Sequence, residues 1–305
     1  MPELTLLGTG SALGNEHAFN SAQILNIREH FYMIDCGEGV QQRLLKAKIK
    51  TNRINNIFIS HLHGDHCFGL LPFISTMSML NRRAPLTIHA HSDLGKILTP
   101  QINYFCPDLS FSINFNHINP RKNEIIFEDN HTIVSTIPLK HSIPTCGFLF
   151  EEKPREPHIN KKVCDDWNIP LSYYPLIKEG HDYIDEEGKC VKNRLLIIDA
   201  EKPKKYAYCS DSAYSEKIIP LIQDVDLLYH ETTYEKSYIS RAKLFLHSTT
   251  EQAALIAKKA NVKKLIAGHL SSRYKTKEDI LRLEKEIQTI FPNAQIGRDL
   301  QKIQF

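Results

Sequence analysis

His61-Leu62-His63-Gly64-Asp65-His66 places three imidazoles and a carboxylate in one short turn. The residues before it, Asn56-Ile57-Phe58-Ile59-Ser60, are apolar and partly β-branched. They predict a buried strand, with the cluster on the loop that leaves it. Imidazole nitrogen and carboxylate oxygen are the ligand set expected for zinc. The spacing is not His-x-x-x-His, which would put two ligands on one helix face. Here His61 and His63 stand two apart, Gly64 permits a sharp turn, and Asp65-His66 follow at once. Ligands this close crowd a single tetrahedral ion, which favours two ions sharing them. The bland alternative is a solvated loop in a chain that carries 15 histidines.

Further ligands must come from elsewhere, and three predicted strands end in one. His141 follows Pro138-Leu139-Lys140, Asp211 follows Tyr206-Ala207-Tyr208-Cys209-Ser210, and His269 follows Leu265-Ile266-Ala267-Gly268. A carboxylate suits the position between two cations, because each of its oxygens can face one ion.

Composition narrows the class. A chain of 305 residues forms one large domain or two modest ones. Hydrophobic content of 42% and charge of 24% are ordinary for a globular protein. The net charge of +3 does not by itself announce nucleic-acid binding, though it leaves room for a local basic patch. No run of ~18 apolar residues predicts a spanning helix, so no membrane is expected. The N-terminus lacks the basic and apolar regions of a signal peptide. The seven cysteines are scattered and make no C-x-x-C pair, which fits reduced thiols and a cytoplasmic location. Cys67 adjoins the histidine cluster but reads as a packed core thiol.

Strands are predicted at 4–7, 22–27, 31–34, 56–59, 86–89 and 133–138, and later at 206–209, 227–229 and 265–267. Helices are predicted at 38–46 and 68–80. Ser248-Thr249-Thr250-Glu251 reads as a capping box opening a helix to about Ala260, and Thr276-Lys277-Glu278-Asp279 begins another that stops near Phe291-Pro292. Strands and helices in both halves suggest two packed sheets with helices outside.

Residues 151–194 do not fit that pattern. They carry Pro154, Pro157, Pro170 and Pro175 and show no sustained period. A stretch of this length without regular structure is usually functional or disordered. Over 153–162 it is cationic, with Lys153, Arg155, Lys161 and Lys162 against Glu156, while the return limb is acidic.

Taken together, these motifs resemble the metallo-β-lactamase superfamily, and within it the ribonuclease Z branch. The histidine motif is the superfamily signature. Leu7-Gly8-Thr9-Gly10-Ser11-Ala12 matches the branch's opening turn, and Ile34-Asp35-Cys36-Gly37-Glu38-Gly39 its second motif. Ser210-Asp211-Ser212, His230-Glu231-Thr232-Thr233, His247-Ser248-Thr249-Thr250 and His269-Leu270-Ser271-Ser272-Arg273-Tyr274 match later ones. The resemblance implies an α/β fold, the four-layer αββα sandwich, as one domain over 1–305 with a protruding RNA-binding arm at about 151–195. It implies two zinc ions per chain, with manganese or another divalent ion as a substitute. His61, His63 and His141 would hold the first ion, and Asp65, His66 and His269 the second, with Asp211 bridging. Asp65 would also accept the proton of the attacking water, and His247, paired with Glu231, would protonate the departing 3′ oxygen. Ser271 and Arg273 would contact phosphate. Asp35 and Gly37 fit roles in holding a ligand and making a turn. His230 reads as structural or as a support to the ligands. The other histidines (His17, His30, His89, His91, His117, His131, His158, His181) carry no motif.

The expected activity is a zinc-dependent endoribonuclease that removes the 3′ trailer from precursor transfer RNA, as a homodimer. The cationic tip, Lys153, Arg155, Lys161 and Lys162, would grip RNA phosphates. The likeness departs at Ile169-Pro170-Leu171-Ser172-Tyr173, where the family's arm usually carries Gly-Pro in place of Ser172-Tyr173. Two other classes stay open from residues alone: a phosphodiesterase or arylsulfatase of the same fold acting on small esters, and a catalytically silent RNA-binding protein.

Overall fold

The computed structural model describes residues 1–12 and 18–305; His17 lies outside them. Contacts divide the chain into two compact units, one of Met1–Glu151 with Lys204–Phe305 and one of Glu152–Pro203.

The larger unit begins with nine strands: β1 Glu3–Gly8, β2 Ala22–Ile27, β3 His30–Cys36, β4 Ile54–Phe58, β5 Leu86–His91, β6 Ile113–Ile118, β7 Ile125–Glu128, β8 Thr132–Pro138 and β9 Cys146–Glu152. The smaller unit adds four two-residue strands: β10 His158–Ile159, β11 Tyr183–Ile184, β12 Cys190–Val191 and β13 Ile197–Ile198. The larger unit then resumes with β14 Lys205–Cys209, β15 Leu227–Glu231, β16 Lys264–Gly268, β17 Ala294–Ile296 and β18 Lys302–Gln304.

Two seven-stranded sheets result, in the orders β18-β1-β2-β3-β4-β5-β6 and β17-β16-β15-β14-β9-β8-β7. In the first, β18 through β3 pair antiparallel, and β3 through β6 pair parallel. In the second, β14 through β17 are parallel, while β9 runs antiparallel to β14.

Side-chain alternation decides the layers. Leu4, Leu6, Tyr32, Ile34 and Phe58 of the first sheet share one buried cluster with Phe148, Phe150, Tyr206, Tyr208, Tyr229 and Ile266 of the second. The neighbours in sequence face the other way. Met33 and Ile57 pack with Leu44, Phe73, Ile74 and Leu98. Those four lie on helices Val40–Lys46, Leu70–Met79 and Asp93–Phe105. Ala207, Leu228 and Ala267 pack with Ala254, Ala257, Leu283 and Ile287, from helices Thr250–Lys259 and Lys277–Gln288. Bulky aromatics fill the space between the sheets, and small residues let the outer helices approach. The result is the four-layer αββα arrangement.

Three local readings shift. The capping box of helix Thr250–Lys259 is formed by Thr249 and Gln252, one residue later than the sequence suggests. Ser248 is engaged elsewhere: its hydroxyl donates to the Ser212 carbonyl at 2.6 Å. The predicted helix 68–80 is Leu70–Met79, and a separate short helix, Gly64–Cys67, carries Asp65 and His66 where a loop is predicted. Helix Asp93–Phe105, with Pro100 inside it, has no counterpart among the predicted elements.

The unit Glu152–Pro203 is ordered by a small core of its own, Cys164, Ile169, Ile177, Val191 and Leu196. Tyr173 packs against that core, its ring 5.0 Å from Tyr183 and edge-on to it. Its hydroxyl donates to the Asp182 carbonyl at 3.3 Å. The residue that departs from the family's Gly-Pro pair is therefore a packing element. The helices here span four to six residues, too short for a period to be read.

Candidate metal centre

The ligand-type residues converge at the carboxyl ends of parallel strands, where open α/β sheets bind ligands. His61 lies just past β4, Asp211 past β14, Glu231 ends β15, and His269 follows β16. The loop after β8 supplies His141. Gly37 lets the second-motif turn lie against the histidine loop, because an added Cβ there would sit 2.6 Å from the Asp65 carbonyl oxygen. The need is close approach rather than turn conformation.

Two groups form around one carboxylate. Ligand atoms of His61, His63, His141 and Asp211 lie within 4.8 Å of one another, as do those of Asp65, His66 and His269. Asp211 Oδ2 faces His61 Nε2 and His141 Nε2, each at 3.7 Å. Its Oδ1 faces His66 Nε2 at 3.4 Å and His269 Nε2 at 3.2 Å. Asp65 Oδ2 lies 3.6 Å from His66 Nε2 and 3.5 Å from His269 Nε2. It also accepts the Ala12 N–H at 2.8 Å.

The imidazoles are oriented from behind. His66 Nδ1 donates to Asp35 Oδ2 at 2.7 Å. Asp35 also accepts the Ser60 N–H and hydroxyl and the Tyr208 hydroxyl, the last at 2.6 Å. His141 Nδ1 donates to the Leu246 carbonyl at 3.0 Å. His269 Nδ1 lies 3.1 Å from the Thr233 hydroxyl. Each contact fixes the tautomer and leaves Nε2 with a lone pair aimed inward.

The donor set fits a divalent cation. Nε2 of His66 and of His269 are buried and lack a hydrogen-bond partner, although buried polar atoms are nearly always paired. Burial opposes a charged His66, yet Asp211 and Asp35 outweigh it and raise its pKa well above the usual range. Burial likewise opposes an ionised Asp211, but His269 and His66 hold it well below the usual carboxylate range. The buried carboxylates thus create a field that favours positive charge between the histidines. The His/Asp cluster is a divalent metal site of the kind that metallo-hydrolases carry.

Beside it stands a second constellation. Glu231 is fully buried. Its Oε1 accepts Ser212 N–H and Ser248 N–H at 3.0 Å and His247 Nδ1 at 2.9 Å. Oε2 accepts the Thr233 N–H and hydroxyl. Burial would push the His247 pKa down, but the Glu231 carboxylate outweighs it and holds it up at about 9. The buried carboxylate therefore favours the protonated form of His247. The centre opens into a cavity of about 880 Å³, whose walls include Asp65, Arg241, Phe245, His247 and Arg273. Ser271 lines it too, and its hydroxyl accepts Arg273 Nε at 3.1 Å. The Arg273 guanidinium is laid on the Tyr238 ring, 4.4 Å from its centroid.

Other residues fall outside the centre. His230 is buried, bonds the Glu231 carbonyl through Nδ1 at 2.7 Å, and lies in neither ligand group. Cys67 Sγ donates to the His63 carbonyl and packs in the core. His89 stacks on Phe58, and burial pushes its pKa down to about 4. In the smaller unit, Arg155 is paired with Glu152 at 2.8 Å, Lys153 is half-buried, and Lys161 and Lys162 are exposed. Reading the sequence missed Ser60, Tyr208 and Thr233, whose side chains tie the ligands together across strands. Thr233 alone had a visible signal, its place beside Glu231.

Comparison with known proteins places this geometry among relatives. A ribonuclease Z from Phocaeicola vulgatus is 48% identical over 301 residues, covering 99% of this chain and 96% of the relative. A ribonuclease Z from Bacteroides fragilis is 44% identical and covers 97% of both chains. The family model described as Anti-Pycsar protein Apyc1 matches residues 2–153. Among solved structures, human tRNase Z, short form, superposes with a TM-score of 0.72 at 23% identity, over 99% of this chain and 98% of that one. The metallo-beta-lactamase fold protein YhfI from Bacillus subtilis does so with a TM-score of 0.66 at 16% identity, over 99% and 98%. At those identities the two structures speak to the fold.

Proposed function

The chain belongs to the ribonuclease Z family, and from that premise we propose that its His/Asp centre cuts the 3′ trailer from precursor transfer RNA. The protein is a hydrolytic endoribonuclease that processes transfer-RNA 3′ ends. The cut leaves a 3′-hydroxyl on the transfer RNA and a 5′-phosphate on the trailer. The observation that carries the reading is Asp211 dividing its two oxygens between two histidine groups, with the Glu231–His247 pair on the same cavity.

Two zinc ions fit the donors, manganese or another divalent ion serving in their place. His61, His63 and His141 would hold one, and Asp65, His66 and His269 the other, with Asp211 shared. When bound, such ions polarise the scissile phosphate and ease deprotonation of water. Asp65, anchored by the Ala12 amide, takes the proton of the attacking water. Glu231 fixes the His247 ring through Nδ1, which leaves Nε2 to deliver a proton to the departing 3′ oxygen. Ser271 and Arg273 contact phosphate, with the guanidinium held flat by Tyr238. Elemental analysis of protein purified without chelator is expected to approach two ions per chain. One tight ion, with no gain of activity on adding zinc or manganese, would sink the two-ion assignment.

The unit Glu152–Pro203 serves as the RNA-gripping arm, with Lys161 and Lys162 among its exposed cations. Its cationic stretch and its own small core support that role. Glu151 and Lys205 are register partners in β9 and β14, so a short linker can replace the whole unit. That excision is expected to leave turnover of bis(p-nitrophenyl) phosphate intact and to weaken transfer-RNA binding by about tenfold or more. Unchanged RNA affinity would rule the role out. The chain acts as a homodimer in the cytoplasm, one subunit's arm presenting RNA to the other's centre. No helix among the described residues is long and apolar enough to cross a membrane. Mixing an Asp65→Ala protein with an arm-excised protein should restore cleavage in exchanged dimers.

Turnover of precursor transfer RNA against bis(p-nitrophenyl) phosphate tests the reading. A strong preference for the precursor supports it. Turnover of the small ester alone would favour a general phosphodiesterase, and RNA binding with no turnover a silent binder.

A further inference from the structure

A second groove, of about 710 Å³, shares His141 and Ser142 with the first cavity. Arg121, Lys140 and Lys217 stand exposed along it. None of the three has an ion-pair partner among the described residues, and no Asp or Glu lines the groove. Glu216, next to Lys217, is already held by Lys259 and by the Tyr214 hydroxyl. Like charges left unneutralised along one groove repel each other, and the arrangement suits a polyanion. Spaced cations in a groove that adjoins a phosphodiester-cleaving centre suit successive phosphates of one strand.

The direction of that strand follows from the chemistry. His247 serves the 3′ oxygen that stays with the transfer RNA, so the retained end lies on the His247 side. His247 lines the first cavity and not the second groove. The groove is therefore left to the strand downstream of the cut. We propose that Arg121, Lys140 and Lys217 bind the backbone phosphates of the single-stranded 3′ trailer. The proposal rests on the reading of the centre as a transfer-RNA 3′ endonuclease.

The test uses precursors with one transfer-RNA body and trailers of one or about ten nucleotides. The full-length protein is compared with a triple variant, Arg121→Ala, Lys140→Ala and Lys217→Ala. The wild type should show a higher kcat/KM on the long trailer. The triple variant should lose roughly tenfold there, while the one-nucleotide trailer and bis(p-nitrophenyl) phosphate stay unchanged. Its affinity for the long-trailer precursor should also depend less steeply on salt, by about two in the log–log slope, from ~0.7 for each single-strand phosphate contact. Equal loss on both trailers would mean the groove follows the retained transfer RNA, and no loss would mean it carries no strand. Either result overturns the proposal, as does a wild type blind to trailer length. Small-ester turnover with no cleavage of either precursor would instead bring down the reading of the centre, and the groove's role with it.

Discussion

Replacing Asp65 with Ala is expected to remove hydrolysis of every phosphodiester, RNA and p-nitrophenyl ester alike, by about 10³-fold or more. The carboxylate is placed for two duties. Its Oδ2 stands against His66 and His269, and as a carboxylate lining the cavity it is proposed both to hold an ion and to take the proton of the attacking water. Both duties precede the departure of the leaving group, so its quality should not matter. A variant that folds, judged by circular dichroism, and still turns over small esters near the wild-type rate would remove Asp65 from both.

His247→Ala should behave differently. Loss of a positioned acid costs on the order of 10²–10⁴-fold when the leaving group is a ribose alkoxide. p-Nitrophenolate leaves without a proton, so the loss on its esters should shrink to roughly tenfold or less. In the proposed role Glu231 would support this acid: its buried carboxylate favours the protonated ring and fixes which nitrogen faces the cavity. Glu231→Gln should thus reproduce part of the His247 pattern, with the RNA rate falling more than the small-ester rate. Equal losses on RNA and p-nitrophenyl substrates for His247→Ala would contradict the assigned role.

The ligand residues were legible because their chemistry is local. His61 through His66 announce a site within six positions, and His141, Asp211 and His269 each follow an apolar strand. Family likeness then sorted them into two sets, and the ligand-type atoms of each set lie close together, as do those of Asp211, His247 and His269. What holds them was legible only in part: the second motif offered Asp35 but not its partners. Asp35 on β3 bonds His66, and Ser60, just past the neighbouring strand β4, bonds Asp35, but only the packing of the second sheet brings Tyr208 of β14 onto Asp35. Serine and tyrosine in such places look like ordinary strand residues until their partners are known. Ser248 shows the opposite failure. A good capping residue by local rules, it is claimed by Glu231 and the Ser212 carbonyl, and Thr249 caps instead. Tertiary demand overrode a local preference worth about 1 kcal/mol. The region 151–194 looked irregular because its core is drawn from single apolar residues on elements of two to six residues. No window on that scale carries a period.

The central claim is that this centre cuts transfer-RNA precursors at one position. Its most direct test incubates the purified, zinc-loaded protein with a 3′-extended transfer RNA and maps both new ends. One cut at the end of the mature sequence is predicted, leaving a 3′-hydroxyl on the transfer RNA and a 5′-phosphate on the trailer. An intact precursor alongside active small-ester hydrolysis, or cleavage leaving a 3′-phosphate, would contradict it.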